Sequence, residues 1–465
     1  MNRFPKTAGL SNWYLLLAQS LYILNRVRVQ GREKLFSRKS RLKLMVLVSV
    51  IAVFSFLITF CAAPVLAQER VFLDLSLNFL GEYQLPKTKF LETPLGGLSA
   101  ITYDRRRDRL YALSDDQSQF APARFYTLKI ALNSTETEKI GIHKVDIESV
   151  TFLTDKDGQT YAEGTIFPRG IALTPQQTVF VSGSSVVGDL IVPFVQEFDI
   201  KTGQARTSLP IPERYLPDAT NELELTRGVQ APSAFASLTL NPTGTIPASG
   251  EPIRLFTATE SALVQDREPP SLEKGSKCRF LHYLIGYGAP VLISEYFYLL
   301  EPTPSGAISN GLMELIAVDQ GGHFLSLERS RDQSGFNERI FQITTGGATD
   351  TSRIASLKGS YNGIRPIKKK LLLDLNELGI PLDNLQGMAL GPRLSDGTQS
   401  LLLVSDDNFN DLQVTRLLLF RLTNTKTRVT ARAKANRSGF TLPSKQKGSG
   451  EPLKPEFLTN LLYQP

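Results

Sequence analysis

Cysteine, histidine and tryptophan are all scarce in these 465 residues, at two, three and one respectively. Cys61 and Cys278 cannot build a disulfide framework or a thiolate zinc site. His143, His282 and His323 show neither HxH nor HExxH spacing, and no GxSxG elbow accompanies them. Histidine-centred metal or triad chemistry is therefore disfavoured. The glycine pairs Gly96-Gly97, Gly321-Gly322 and Gly346-Gly347 lack the Lys-Ser/Thr of a phosphate loop and read as hairpin turns. Long helical periodicity is also missing, with Leu371–Leu378 as the one ambiguous stretch.

Charge is unevenly placed. The formal net charge is +7, yet residues 1–43 hold ten basic residues against the single acid Glu33. Residues 44–67 have no charge, and residues 424–465 have eight basic residues against Glu451 and Glu456. The body between Gln68 and Thr423 is left at −8. Such a body, with no basic face, is not expected to bind nucleic acid. The whole chain's 42% hydrophobic content is ample for a packed core.

The uncharged run LMVLVSVIAVFSFLITFCAAPVLA follows Arg38, Lys39, Arg41 and Lys43 and ends on Ala67. A basic flank, an apolar run and a small terminal residue fit a cleaved secretory signal. The run is also long enough for an uncleaved membrane anchor. Both readings keep the basic extension 1–43 inside and export the body to the periplasm or outside, with the membrane touched only through 44–67. The basic stretch from Asn424 reads as a flexible tail.

Within the body, short β-branched or aromatic runs alternate with turn residues, as in LYALS (110–114), TVFVSG (178–183), IRLFTATE (253–260) and SLLLVSDD (400–407). A strand–turn–strand unit recurs. GLSAITYDRRRDRLYALSDD (97–116) and GMALGPRLSDGTQSLLLVSDD (387–407) both close on Ser-Asp-Asp. Looser copies cover 149–164, 170–184, 237–261 and 311–330. Repeated hairpins of this kind predict an all-β protein, a β-propeller of five to seven unequal blades spanning 68–423. The shared Ser-Asp-Asp ends suit a ring in which both ends of the chain supply one edge.

In a propeller, equivalent strand ends meet on one face. Asp115, Asp116, Glu148, Glu163, Glu260, Glu328, Asp406 and Asp407 recur at such points. Adjacent carboxylates after a buried strand need solvent, a ligand or backbone amides to cap. Glu163 near Arg169, Glu224 near Arg227 and Glu328 beside Arg329 are acid–base pairs suited to an anionic ester, or ion pairs that merely organise blade ends. His323, heading a strand, is the histidine worth testing as a base. Cys278 reads as structural or simply exposed.

The segments GGLSAITYD (96–104), DIESVTF (146–152), RGIAL (169–173), TRGVQAPSAFASLTLNPTG (226–244), FTATESAL (256–263), NGLMELIAVD (310–319), LERS (327–330), DNLQGMALGP (383–392) and LLLVSDDNF (401–409) resemble the phytase-like family, described as esterase-like activity of phytase. The resemblance runs in order over nearly all of 90–422. It implies an exported propeller similar to calcium-dependent phytases, and so metal-assisted phosphoric ester hydrolysis at the channel mouth. Under it, Asp115, Asp116, Glu148, Glu260, Asp406 and Asp407 would hold Ca²⁺, whose six to eight ligands are oxygens. Glu163, Arg169, Arg227, Glu328 and Arg329 would bind and cleave a small phosphate ester, in a protein expected to be monomeric. Two positions depart from the family pattern: Ala236 and Gln386 stand where acids are usual. Those losses favour the first alternative, a non-catalytic propeller that binds a ligand or protein partner, while the Glu/Arg pairs favour the hydrolase; a lactonase-like calcium propeller is a third reading.

Overall fold

Strands β1 (Leu75–Gln84) and β22 (Arg416–Asn424), from opposite ends of the body, pair antiparallel in one sheet. The computed structural model describes residues 72–133, 140–218, 225–230, 234–241 and 251–424. The chain divides into a unit ending at Arg70 and a unit beginning at Val71, and the described residues belong to the second. The predicted extension, leader and all but the first residue of the tail lie outside them.

Five four-stranded antiparallel sheets make up the architecture. The first blade holds β4 (Leu98–Asp104), β5 (Arg109–Ser114), β6 (Arg124–Leu132) and β7 (Ile142–Phe152). The second holds β8 (Ile166–Leu173), β9 (Thr178–Val187), β10 (Leu190–Asp199) and β11 (Ala205–Ser208). The third holds β12 (Phe235–Leu240), β13 (Ile253–Thr259), β14 (Lys277–Ile285) and β15 (Val291–Leu299). The fourth holds β16 (Ser309–Ala317), β17 (His323–Asp332), β18 (Gly335–Thr344) and β19 (Lys368–Asp374). The last holds β20 (Asn384–Arg393), β21 (Gln399–Asp406) and β22, completed by β1 as its outermost strand. A small hairpin of β2 (Lys89–Phe90) and β3 (Thr93–Pro94) follows β1. The inner strands β4, β8, β12, β16 and β20 contact one another in a ring, with β20 beside β4. This is a five-bladed β-propeller, at the lower end of the predicted range.

Strand periodicity explains why the second strand of each blade reads as an unbroken apolar run. Alternate side chains point to opposite faces, and here both faces are interfaces between blades. Along β5, Leu110 and Ala112 join the core shared with the last blade, whereas Tyr111 and Leu113 join the core shared with the second. Five such clusters fill the five gaps between neighbouring blades. Outer strands meet solvent on part of their surface, and β7 accordingly reads IHKVDIESVTF with charged side chains exposed.

The predicted copies at 97–116, 170–184, 311–330 and 387–407 are the inner two strands of four blades, and 237–261 carries the third blade's pair. The copy at 149–164 is not a blade hairpin. Its first residues end the outer strand β7, and the rest connects two blades, holding only a Thr154–Thr160 bridge. The ambiguous Leu371–Leu378 stretch ends β19 and then forms a 3-10 turn, Leu375–Leu378, capped by Asp374.

Buried charge pins the loops that leave the second strands. Arg124, wholly buried, donates to Asp116 Oδ2 at 2.6 Å and to the carbonyls of Pro94 and Ala121. Asp116 in turn accepts the N–H groups of Gln119, Phe120 and Ala121. Breaking a buried pair strands the remaining charge, at a cost of about 3–5 kcal/mol. Arg124→Met should therefore lower the unfolding free energy of residues 68–465 by about that amount in urea titration. A loss below about 1 kcal/mol would show that solvent already reaches Asp116.

Candidate active site

Every inner strand carries a one-residue bulge at the same place. The register skips between Leu98 and Ala100, Pro168 and Gly170, Phe235 and Ser237, Leu312 and Glu314, and Leu385 and Gly387. The extra residues are Ser99, Arg169, Ala236, Met313 and Gln386. Bulges re-aim side chains and interrupt pairing, and five of them in register ring one mouth of the channel. Ala236 and Gln386, the two departures from the family pattern, are both members of this ring.

Around the bulges the structure gathers Asp115, Arg169, Glu260, Arg329, Asp406 and Asp407 from the predicted set. Arg169 reaches Asp115 Oδ2 at 3.5 Å and Glu260 Oε2 at 3.4 Å. These three side chains keep 20%, 20% and 14% exposure, so solvent enters here. Asp406 is fully buried and accepts from Gln386 Nε2 at 2.7 Å and from the Asn408 N–H at 2.7 Å. Arg329 donates to Asn384 Oδ1, and its Nε lacks a partner. Directly across the strand pair, Glu338 is fully buried, accepts the Leu385 N–H at 2.8 Å and leaves Oε2 unpartnered.

The electrostatics follow from crowding and partial burial. Burial pushes the Asp115 carboxyl well above the ordinary range; neighbouring Asp406, with which it hydrogen-bonds, adds to the shift, and Arg169 opposes it. Asp406 is likewise raised, chiefly by burial. With both carboxyls raised, ionising the two together is disfavoured. Burial works against the charge of Arg169, but Glu260, Asp115 and Asp406 outweigh it and hold the guanidinium more firmly charged.

Asp407 belongs to the turn beside this pair. Its Oδ1 accepts the N–H groups of Gly97 at 2.9 Å and Phe409 at 3.1 Å. Asn408 and Phe409 both adopt left-handed backbone, with φ of 47° and 51°. Such conformations cost about 1–3 kcal/mol each and cluster at functional sites. The Gly96-Gly97 pair makes the approach possible. A Cβ on Gly96 would lie 2.8 Å from Asp407 Oδ1, and one on Gly97 would strike the Phe409 ring and stand 2.9 Å from Asp115 Oδ1.

Five predicted residues lie elsewhere. Asp116 faces into the Arg124 ion pair and its own loop amides. Glu148 sits on the outer strand β7 and pairs with Arg109. Glu163 is exposed in a turn whose Gly164 N–H bonds Gln117. Arg227 pairs with Glu213 and lines a separate cavity with Arg214 and Arg353. Glu328 and Arg329 are neighbours in sequence but point to opposite faces of β17. Glu328 accepts from Tyr298, from Lys369 Nζ at 2.7 Å and from the Glu301 N–H at 2.9 Å. His323 bonds Asp319 at 2.8 Å in the turn that precedes its own strand. Cys278 is buried, its thiol 3.3 Å from the Glu260 carbonyl.

Deeper in the channel, Glu314 follows the fourth bulge. It is buried among the Leu315, Leu238 and Met388 N–H groups of three blades, and burial raises its carboxyl well above the usual range. Asn384, Glu338 and Phe409 joined the site without being singled out in the sequence. Glu338, beside Arg339 in β18 (GFNERIFQIT), carried no signal that set it apart in the sequence.

The calcium expectation does not fit these side chains. Among the described residues, no three His, Cys, Asp or Glu side chains are disposed to hold one metal ion. A guanidinium stands between Asp115 and Glu260, where a cation would bridge them, and Asp406 is already engaged by two amide side chains.

The family model described as "Phytase-like: Esterase-like activity of phytase" matches residues 93–409. The chain belongs to the phytase-like family. The match ends at Phe409, so it takes in all the gathered residues. A search of curated proteins found no match. Among solved structures, the chain is similar to a glycosyl hydrolase from Bacteroides ovatus at 11% identity and TM-score 0.35, over 77% of this chain and 93% of that one. It is also similar to the catalytic domain of a Coprinopsis cinerea α-L-arabinofuranosidase at 11% identity and TM-score 0.33, over 75% and 97%. The N-terminal domain of Nup159 matches at 10% identity and TM-score 0.26, over 76% and 97%. At such scores these likenesses decide nothing about chemistry.

Replacing Gln386 by Glu tests the electrostatics of the ring. The substitution removes the 2.7 Å donor to Asp406 and sets a second carboxylate against it. A carboxyl pair with raised proton affinity contributes stability at low pH and loses it as pH rises through the pair's titration. Gln386→Glu should thus be tolerated near pH 5 and cost about 1–3 kcal/mol more near pH 8, read from urea midpoints. An equal cost at both values would mean that the new carboxyl escapes to solvent.

Proposed function

We propose that this protein hydrolyses an anionic ester, of the phosphoric type the family name suggests, at the bulge-ringed mouth of its propeller. The observation that carries this reading is the gathering of Asp115 and Asp406 with Arg169, whose guanidinium lies 3.5 Å from Asp115 in a part-exposed mouth. In the proposed reaction the pair holds one proton between them. Arg169 draws the ester anion into the mouth, and its planar fork suits phosphate oxygens. The ionised member of the pair takes a proton from water as the water oxygen adds to phosphorus. The protonated member gives its proton to the departing alcohol oxygen as the P–O bond breaks. Water thus supplies one proton and the hydroxyl, and the pair ends with its roles exchanged. Glu260 and Asp407 hold Arg169 and the Gly97 turn in place. An exported setting, through the leader read at 44–67, is part of the same proposal.

A second reading has its own support. Ala236 and Gln386 have replaced two acids of the ring, and a binding propeller that retains the arginines needs neither. The two readings separate on turnover. Residues 68–465 should hydrolyse a phosphomonoester, with activity falling as pH rises through the pair's titration. Asp115→Asn and Asp406→Asn should each lower kcat about 10²–10⁴-fold, the usual worth of general acid–base catalysis, while the folded state survives by circular dichroism. Anion binding by calorimetry without turnover in the parent protein would instead establish the binding propeller.

A further inference from the structure

A second cavity, of about 410 Å³, adjoins the carboxyl pair and is lined by Phe120, Phe409, Asp407, Lys87 and Lys89 among others. The two phenyl rings lie 4.7 Å apart at 39°, and Phe120 remains 53% exposed. An exposed phenylalanine is ordinary when it is loose, but this one is held. Its own N–H and those on either side bond Asp116, which is locked to buried Arg124. Phe409 is fixed by its left-handed backbone and by the Asp407 carboxylate. The two rings, packed on each other, therefore form one pre-formed wall, and ordering it costs a ligand little.

The position of the cavity gives it a role. The Phe409 ring and Asp115 Oδ1 flank the same Gly97, which sets the cavity beside the acid pair. Lys87, donating to the Asn410 carbonyl at 2.6 Å and 3.7 Å from Asp411, and Lys89 share the rim with Asp407 and Asp411, so the charges there balance. A held apolar wall beside the carboxyl pair matches one chemistry: an ester whose leaving group is a planar ring.

We propose that the Phe120–Phe409 cleft is the leaving-group subsite, and that it selects esters of aromatic alcohols over aliphatic ones. This rests on the hydrolase reading for its name but not for its test. The probes are phenylphosphonate and butylphosphonate, which carry the anion and cannot be hydrolysed, titrated calorimetrically into residues 68–465. The phenyl probe should bind about 3–10-fold tighter, as aromatic contact energies imply, and Phe120→Ala should bring the two to near parity. Phe120 is on the surface, so that variant keeps its core, and Phe409→Leu gives a second measurement with the volume largely retained.

Equal affinity of the two probes for the parent protein would overturn the subsite, as would a preference that survives Phe120→Ala. Failure of either probe to bind would overturn it together with the anion role of Arg169. A Phe120-dependent preference without turnover of phenyl phosphate would support the subsite and overturn the hydrolase reading.

Discussion

Closure of the ring is the constraint on which the rest of the molecule depends. β1 leaves the start of the body and pairs along its length with β22, near the body's other end, with a bulge near Gly81. Only that pairing seats β20 beside β4. Asp406 ends the second strand of the last blade and Asp115 follows the second strand of the first, so the carboxyl pair exists because the ring is closed. The two are nearly three hundred residues apart, and the entropy of joining such distant segments is offset by the core between the two blades, which includes Leu98, Tyr126, Leu402 and Leu417. Each of the other gaps is filled in the same way. An opened ring would expose two apolar blade faces at once.

Desolvated charge is handled in two ways in this fold. In the loops it is fully paired. Arg279 bonds Asp266 through two nitrogens at 2.6 and 3.0 Å and Glu295 through a third at 2.6 Å, and it also reaches the Ile354 and Ala355 carbonyls. Arg124 does similar work beneath the 116–123 loop. Such sites are rigid because every donor has an acceptor. At the channel mouth the pairing is left incomplete. Arg329 Nε and Glu338 Oε2 are buried without partners, and Asp115 and Asp406 resist ionising together. Incomplete satisfaction costs stability, and at the mouth it falls on Arg329 and Glu338, which face each other across β17 and β18 beside the carboxyl pair.

Much of this was legible in the sequence. Turn spacing and the Ser-Asp-Asp repeat gave the propeller and its closure, because strands buried on both faces must read as short unbroken apolar runs. Residues following second strands, such as Asp115, Glu260 and Asp406, converged as the repeat implied. What failed was direction. Glu328 and Arg329 looked like one pair, but consecutive strand residues face opposite sides, so only Arg329 turns to the mouth. Asp116 was indistinguishable from Asp115 until its loop curled back onto Arg124. Glu148 was misplaced because the 149–164 copy is an outer strand and connector, not an inner hairpin. The bulges were invisible, since one extra residue in a strand leaves no compositional trace, and they decide which side chains line the channel.

The bulges also give the departures from the family pattern a physical meaning. Ala236 and Gln386 occupy equivalent ring positions, and the intact member of the ring that carries charge is Arg169. An acid at 386 would press a third carboxylate onto Asp115 and Asp406, in a pocket where two already resist ionising together. Glutamine relieves that repulsion and donates to Asp406 instead. Alanine at 236 likewise removes a charge from the blade next to Arg169, leaving the guanidinium to Asp115 and Glu260. Both neutral side chains thus act in one direction: the acids left at the mouth are balanced by the chain's own Arg169, 3.5 Å from Asp115 and 3.4 Å from Glu260. A fixed guanidinium cannot be lost to dilution or chelation, and it presents its donors in a plane suited to an oxyanion.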